Sequence, residues 1–202
     1  MFYTTLNILL FFYIYKNLRS SYSIDDIDLI ISTIHASVTV LISFCFLTGF
    51  ISQDNFLNLM IFSCGYAIYD IWFLNFYQRR NSDILTLHHL IIILGVSWIN
   101  LYKDPFVVKM LAMNYMSEIS TPFLNLSFYL YNNKLIEKDK YKHVFNISNL
   151  CLIITYFIFR VLLGTYLIYY TAFYNYLYIV QVTLTLLNYS WFYKLIKKSK
   201  KF

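Results

Sequence analysis

The sequence predicts an all-α, polytopic membrane bundle of six or seven transmembrane helices around a central polar cavity, and three observations carry that expectation. The 202-residue chain is 59% hydrophobic with only 4 Gly and 2 Pro, too apolar for a soluble domain with one core. Long apolar runs recur along it between short polar links. Most of these runs carry a polar stripe at helical period, and in lipid-embedded helices such stripes are expected to point inward. The abundance of Tyr and Phe, 21 and 19 residues, accompanies equally abundant Lys, Asn and Ile, so it reads as compositional drift of the whole chain.

Residues 2–15 form an apolar run ending at Lys16 and Arg19, short for a span unless Lys16 snorkels. No small-residue cleavage site follows, so an uncleaved anchor is expected, and residues 1–19 are set apart as that anchor or first span. A polar link with Asp25, Asp26 and Asp28 leads into a span over 29–50, with Ser32, His35, Thr39 and Ser43 on one stripe. The next span, 57–77, has Ser63, Tyr66 and Asp70 in register, and the one at 84–101 begins with the pair His88 and His89. A span over 106–131 holds Glu118, sharing a face with Asn114, Thr121, Pro122 and Asn125. One hydrophilic loop, Asn132 to His143, follows. The span at 147–170 contains Arg160 with Tyr156 and Gly164 one turn away, and that at 174–195 aligns Tyr178, Gln181, Thr185 and Asn188. Residues 20–196 are expected to be one membrane domain, without repeat or linker, and 197–202 a basic cytosolic tail.

Charge sets the orientation. If alternate loops are cytosolic, that side holds Lys16, Arg19, Arg79, Arg80, Lys134, Lys138, Lys140, Lys142, Lys194, Lys197, Lys198, Lys200 and Lys201. The other side holds Lys103 and Lys109, with Arg160 inside the membrane. The bias places the N-terminus outside or in a lumen and the C-terminus in the cytosol. It also explains the net charge of +6 without nucleic acid as a partner. Lys198 and Lys200 have the spacing of a dilysine retrieval signal of the endoplasmic reticulum; an ordinary basic stop after the last span explains them equally. Cys45, Cys64 and Cys151 fall in apolar stretches, as small buried hydrophobes rather than a disulfide framework. The sequons at Asn125, Asn146 and Asn188 lie in spans or at a cytosolic edge, where no glycosylation is expected.

An ionised carboxylate near the centre of a span costs roughly 3 kcal/mol even on lenient insertion scales. Glu118 should therefore face protein or a polar cavity, and His35, Asp70, His88, His89 and Arg160 are its candidate neighbours. With the orientation above, the three histidines sit roughly 6–9 Å inside the cytosolic boundary, and Asp70, Glu118 and Arg160 nearer the midplane. A cavity open to the cytosolic leaflet would collect all six; the alternative is that Arg160 pairs with Glu118 or Asp70 only to fasten helices. Adjacent His88 and His89 point about 100° apart and cannot easily share a metal. HxxxH and HExxH are absent, HxxHH fails at Leu85, and no GxSxG or P-loop occurs. A zinc site from His35, Asp70 and one of the pair is conceivable in geometry, but no metal and no cofactor is expected.

His35 in STIHASVTV, Asp70 in GYAIYDIWF, the pair in LTLHHLIII, Glu118 in SEISTPFLNLSF and Arg160 in FRVLLGTYL together resemble the TLC domain over roughly 20–196. Ceramide synthases, translocon-associated TRAM proteins and a set of smaller TLC-domain proteins share that domain, and the smaller members are the most similar. The resemblance implies a six- or seven-helix bundle in the endoplasmic reticulum or another internal membrane, handling lipid in a central cavity. In ceramide synthases a His-His pair is followed one span later by His-Asp and a further Asp. His88 and His89 match the first part, but Ser117, Glu118 and Thr121 stand at the second, which counts against acyl-CoA-dependent N-acylation. The expected function is a membrane protein that binds a sphingolipid, phospholipid or fatty acyl group and influences membrane lipid composition or trafficking. His35, Asp70, Glu118, Thr121, Asn125 and Arg160 would line the cavity or fasten its helices. Two alternatives stay open: an acyltransferase with His88 or His89 as base and Glu118 as its partner or charge stabiliser, and a cargo receptor or interaction protein working through the Asn132–His143 loop and terminal lysines.

Overall fold

The computed structural model describes residues 2–77, 82–172 and 175–199, whose regular structure is all helix, with no strand. The chain forms two compact units, Met1–Ala112 and Met113–Phe202. Of the residues behind the expected orientation and retrieval signal, Arg79, Arg80, Lys200, Lys201 and the side chain of Lys198 lie outside the described residues.

The first unit is built on α1 (Phe2–Leu18), α2 (Ile24–Leu47), α3 (Gln53–Phe76) and α4 (Ser82–Tyr102), followed by the start of α5 (Pro105–Tyr115). α2 begins five residues before the expected span, so Asp25, Asp26 and Asp28 belong to the helix rather than to a link. The reason is local: the Ser23 hydroxyl caps the helix by accepting from the Asp26 N–H, and two carboxylates in the first turn suit the positive end of the helix dipole. At its other end Gly49, at φ +81°, allows the Phe50 N–H to reach the Cys45 carbonyl and the Gly49 N–H to reach that of Phe46. This left-handed closure halts the helix and turns the chain back. Ser52 then caps α3, and the Asp104 carboxylate caps α5 ahead of Pro105 by accepting from the N–H groups of Phe106 and Val107.

α3 is the hub of this unit, packed by α1, α2 and α4. Its buried residues include Phe56, Met60, Ser63, Cys64, Tyr66, Tyr69, Asp70 and Phe73, which surround the helix rather than form one stripe. Phe11 and Tyr15 of α1 meet Tyr66, Tyr69 and Phe73 in an aromatic core with Ile27 and Ile31 of α2. α1 approaches closely because Gly65 has no side chain: a Cβ there would lie 2.6 Å from Asn7 Cβ and 3.0 Å from the Asn7 carbonyl carbon.

The second unit comprises the end of α5, a 3₁₀ segment Met116–Ser120, α6 (Thr121–Asn132), α7 (Asp139–Tyr156), a π-helical segment Phe157–Leu162, α8 (Leu163–Thr171) and α9 (Asn175–Ser199). The expected span at 106–131 is therefore two helices joined by a tighter turn. Pro122 has no N–H to give the Glu118 carbonyl, and the Thr121 N–H closes on it instead. The expected hydrophilic loop is shorter than its composition suggested, because α7 starts at Asp139: charged residues at a helix start are compatible with helix, whatever they mean for lipid burial.

Among the described residues four helices are long and apolar enough to cross a membrane: Ile24–Leu47, Gln53–Phe76, Asp83–Tyr102 and the continuous Asp139–Thr171. In α2 the polar stripe faces inward. His35, Thr39 and Ser43 are buried, whereas Leu41 and Phe44 are exposed. That is the inside-out pattern of a helix whose outer solvent is hydrocarbon. In α9 Gln181 and Thr185 are buried as the spacing predicted, but Tyr178 is exposed.

Candidate functional site

The polar residues singled out in the sequence fall into two sets, one in each unit. In the first unit they form a connected row. His35 Nε2 lies 2.9 Å from the Ser63 hydroxyl, and its ring stacks on Tyr66 at 3.9 Å between centroids and 13° between planes. Tyr66 in turn meets the His89 ring edge-on at 5.8 Å. His89 Nε2 stands 2.6 Å from Asp70 Oδ2, with both side chains only 8% exposed. α3 supplies Ser63, Tyr66 and Asp70 at intervals of three and four residues, so one face presents all three. α2 brings His35 to that face and α4 brings His89.

The His89–Asp70 pair has a chemical consequence. With Nε2–H donated to the carboxylate, Nδ1 is left as the lone-pair nitrogen, and it is buried with no partner among the described residues. A buried imidazole oriented by a carboxylate and holding one nitrogen unused has the arrangement of a general base. His88 is half-buried beside it, the two rings 5.4 Å apart. The carboxylate that orients His89 is Asp70, whereas Glu118 is engaged by Arg160. Among the described residues no three His, Cys, Asp or Glu side chains gather to hold a metal ion.

In the second unit the set centres on Arg160, 8% exposed and set in the π-helical segment. Its Nε–H is shared between the Ser117 carbonyl at 3.2 Å and the Ser120 hydroxyl at 2.9 Å. Its Nη2 donates to Glu118 Oε1 at 3.3 Å and to the Thr121 hydroxyl at 3.0 Å, and that hydroxyl donates to Glu118 Oε2 at 2.6 Å. The Tyr156 ring covers the guanidinium at 5.2 Å. These four acceptors come from residues 117–121. In a 3₁₀ turn residues three apart eclipse, which puts Ser117 over Ser120 and Glu118 over Thr121 and makes two adjacent pairs of acceptors. Two backbone irregularities, a 3₁₀ segment and a π segment, thus meet at one buried cation; both kinds are frequent at functional places in helices.

Asn125 is buried one turn further along α6, and Asn114 donates to Gln181 Oε1 at 3.0 Å, leading to Thr185 and the Gly164 carbonyl. Sequence reasoning placed Glu118, Thr121 and Arg160 but gave no part to Ser120, which helical spacing sets off the Glu118 face. Pro122 was the signal that the local period changes there.

Four hydrocarbon-length helices and charged side chains paired out of solvent define a multi-pass integral membrane protein of the all-helical class. Residues 27–197 match the family model of the TLC domain, and the chain belongs to that family. It is 26% identical over 165 residues to a protein of Acanthamoeba polyphaga mimivirus named as TLC domain-containing, an alignment covering 77% of this chain and 80% of that one. No solved structure matches the chain.

Proposed function

We propose that this protein binds or handles a lipid within the membrane and thereby influences membrane lipid composition or trafficking. The observation that carries the reading is Arg160: a cation more than nine-tenths buried in the helix Asp139–Thr171, held by a backbone turn that departs from α-helix to hold it. Intramembrane ionisable residues are costly, and they generally mark binding or transport pathways. Family membership supports a membrane role.

In this reading α1, the α5–α6 pair and α9 join the four long helices to give six or seven spans, with His35 and Asp70 as the lipid-facing polar set of the first unit and Glu118, Thr121, Asn125 and Arg160 as that of the second. Residues 20–196 act as one domain behind an N-terminal anchor. The N-terminus faces a lumen, the C-terminal tail faces the cytosol, and the endoplasmic reticulum is the proposed home. The test is mass spectrometry of lipids extracted from the purified protein. A stoichiometric lipid is expected; repeated purification without any would end the reading.

A second reading, acyl transfer, is favoured by the His89–Asp70 geometry. There His89 Nδ1 would take the proton from an attacking amine or hydroxyl, and Asp70 would stabilise the imidazolium. Incubation with labelled acyl-CoA and a sphingoid base tests it. Labelled product that disappears in His89→Ala is the expected result, and turnover surviving that change would remove His89 from the role.

A further inference from the structure

We propose that Thr86 and His89 of α4 together hold the free hydroxyl of an uncharged lipid alcohol, a diacylglycerol or a sterol; this inference rests on the lipid-handling reading and names the chemical group held. With His89 Nε2–H given to Asp70 Oδ2 at 2.6 Å, Nδ1 carries a lone pair and needs a donor. That nitrogen is buried and meets no partner among the described residues, on a residue only 7% exposed. The Thr86 hydroxyl is a second buried polar atom with no partner among those residues. Residues 86 and 89 lie three apart on α4, so they share a face, with Cβ atoms about 5–6 Å from each other. Polar atoms left unmet out of solvent are costly, so the two are suited to a group brought by a ligand.

Stoichiometry and charge decide which group. The two atoms offer one lone pair that must receive a hydrogen and one hydroxyl that can give one. A single alcohol meets both, donating to Nδ1 and accepting from Thr86, and one oxygen spans that separation through hydrogen bonds of about 2.8 Å each. Asp70 brings a negative charge here, and among the described residues its ion-pair partner is His89. A phosphate or free carboxylate would set a second negative charge beside it where ions are poorly solvated. An ammonium would bring three donors to two acceptors, and a buried donor left over is costly. An uncharged alcohol carries neither penalty.

The experiment offers the full chain in detergent oleyl alcohol, oleyl methyl ether and oleylamine, which share one hydrocarbon chain, and reads retention by native mass spectrometry. The wild type should retain the alcohol about five-fold better than the ether, the size of one hydrogen bond. In His89→Lys, which keeps a donor toward Asp70 but has no acceptor, the preference should fall to near parity. Equal retention of alcohol and ether by the wild type overturns the inference while leaving lipid handling intact. A preference that persists in His89→Lys overturns the assignment to His89, and an amine held better than the alcohol overturns the choice of group. Retention of none of the three overturns the inference, the two atoms then sharing a water; absence of any co-purified lipid in the same spectra counts against lipid handling as well. Should His89→Lys not fold, Thr86→Val decides, because it keeps the shape and removes the hydroxyl: retention of the alcohol should fall about five-fold, and unchanged retention overturns the inference. Dioleoylglycerol and cholesterol, each against its methyl ether, then separate the two sources of the alcohol, and a preference with neither overturns the inference.

Discussion

At the residue scale, the two buried ion pairs differ in how they are supported. Arg160 and Glu118 are embedded among Ser120, Thr121 and Tyr156, so removing one partner leaves the other as an uncompensated charge. Glu118→Leu should destabilise the protein by about 3–5 kcal/mol, read as thermal unfolding in detergent. The double variant Glu118→Leu with Arg160→Leu should recover most of that loss, because neither charge then needs desolvating. A double variant no more stable than Glu118→Leu would show that the network, not the charge balance, sets stability. For His89 the support is Asp70 alone on the Nε2 side. Asp70→Leu should cost about 1–3 kcal/mol by leaving a buried N–H unmet, and should abolish any acyl transfer.

At the scale of the element, the glycines of α3 and α4 offer a matched comparison. A methyl at Gly65 would press on the α1 backbone at Asn7, whereas at Gly95 nothing lies within 4 Å. Gly65→Ala should therefore lower stability by about 1–3 kcal/mol through overpacking. Gly95→Ala should leave it unchanged or raise it by about 0.4–1 kcal/mol, by restricting the unfolded chain. Similar losses at both sites would contradict the close docking of α1. Helix positions were legible in the sequence because hydrophobic runs and polar stripes both survive into the structure: His35, Thr39 and Ser43 point inward as their spacing requires. Helix boundaries were less legible, since hydropathy reports lipid contact while Ser23 and Asp139 report helix starts. The 3₁₀ and π segments follow from Pro122 and from tertiary packing around Arg160, which a regular period cannot reveal.

At the scale of the whole molecule, each unit has its own buried polar set, and the TLC-domain match from 27 to 197 runs through both. Sequence composition gave the membrane class at once, because 59% apolar residues leave no soluble alternative. The sequence named most of the site residues and offered Glu118 or Asp70 as the partner of Arg160, but the choice between them and the pairing of His89 with Asp70 depend on which helices pack together. The proposed orientation, N-terminus lumenal and C-terminus cytosolic, predicts that a protease added to the cytosolic face of sealed membranes removes a C-terminal tag and spares an N-terminal one. The central claim is that the buried Arg160 cluster exists to hold lipid rather than to fasten helices. The direct measurement is native mass spectrometry comparing the wild type with the Glu118→Leu, Arg160→Leu double variant, chosen because it should fold. The account predicts a folded double variant that has lost the co-purifying lipid; a folded double variant that retains it at wild-type stoichiometry would contradict the claim.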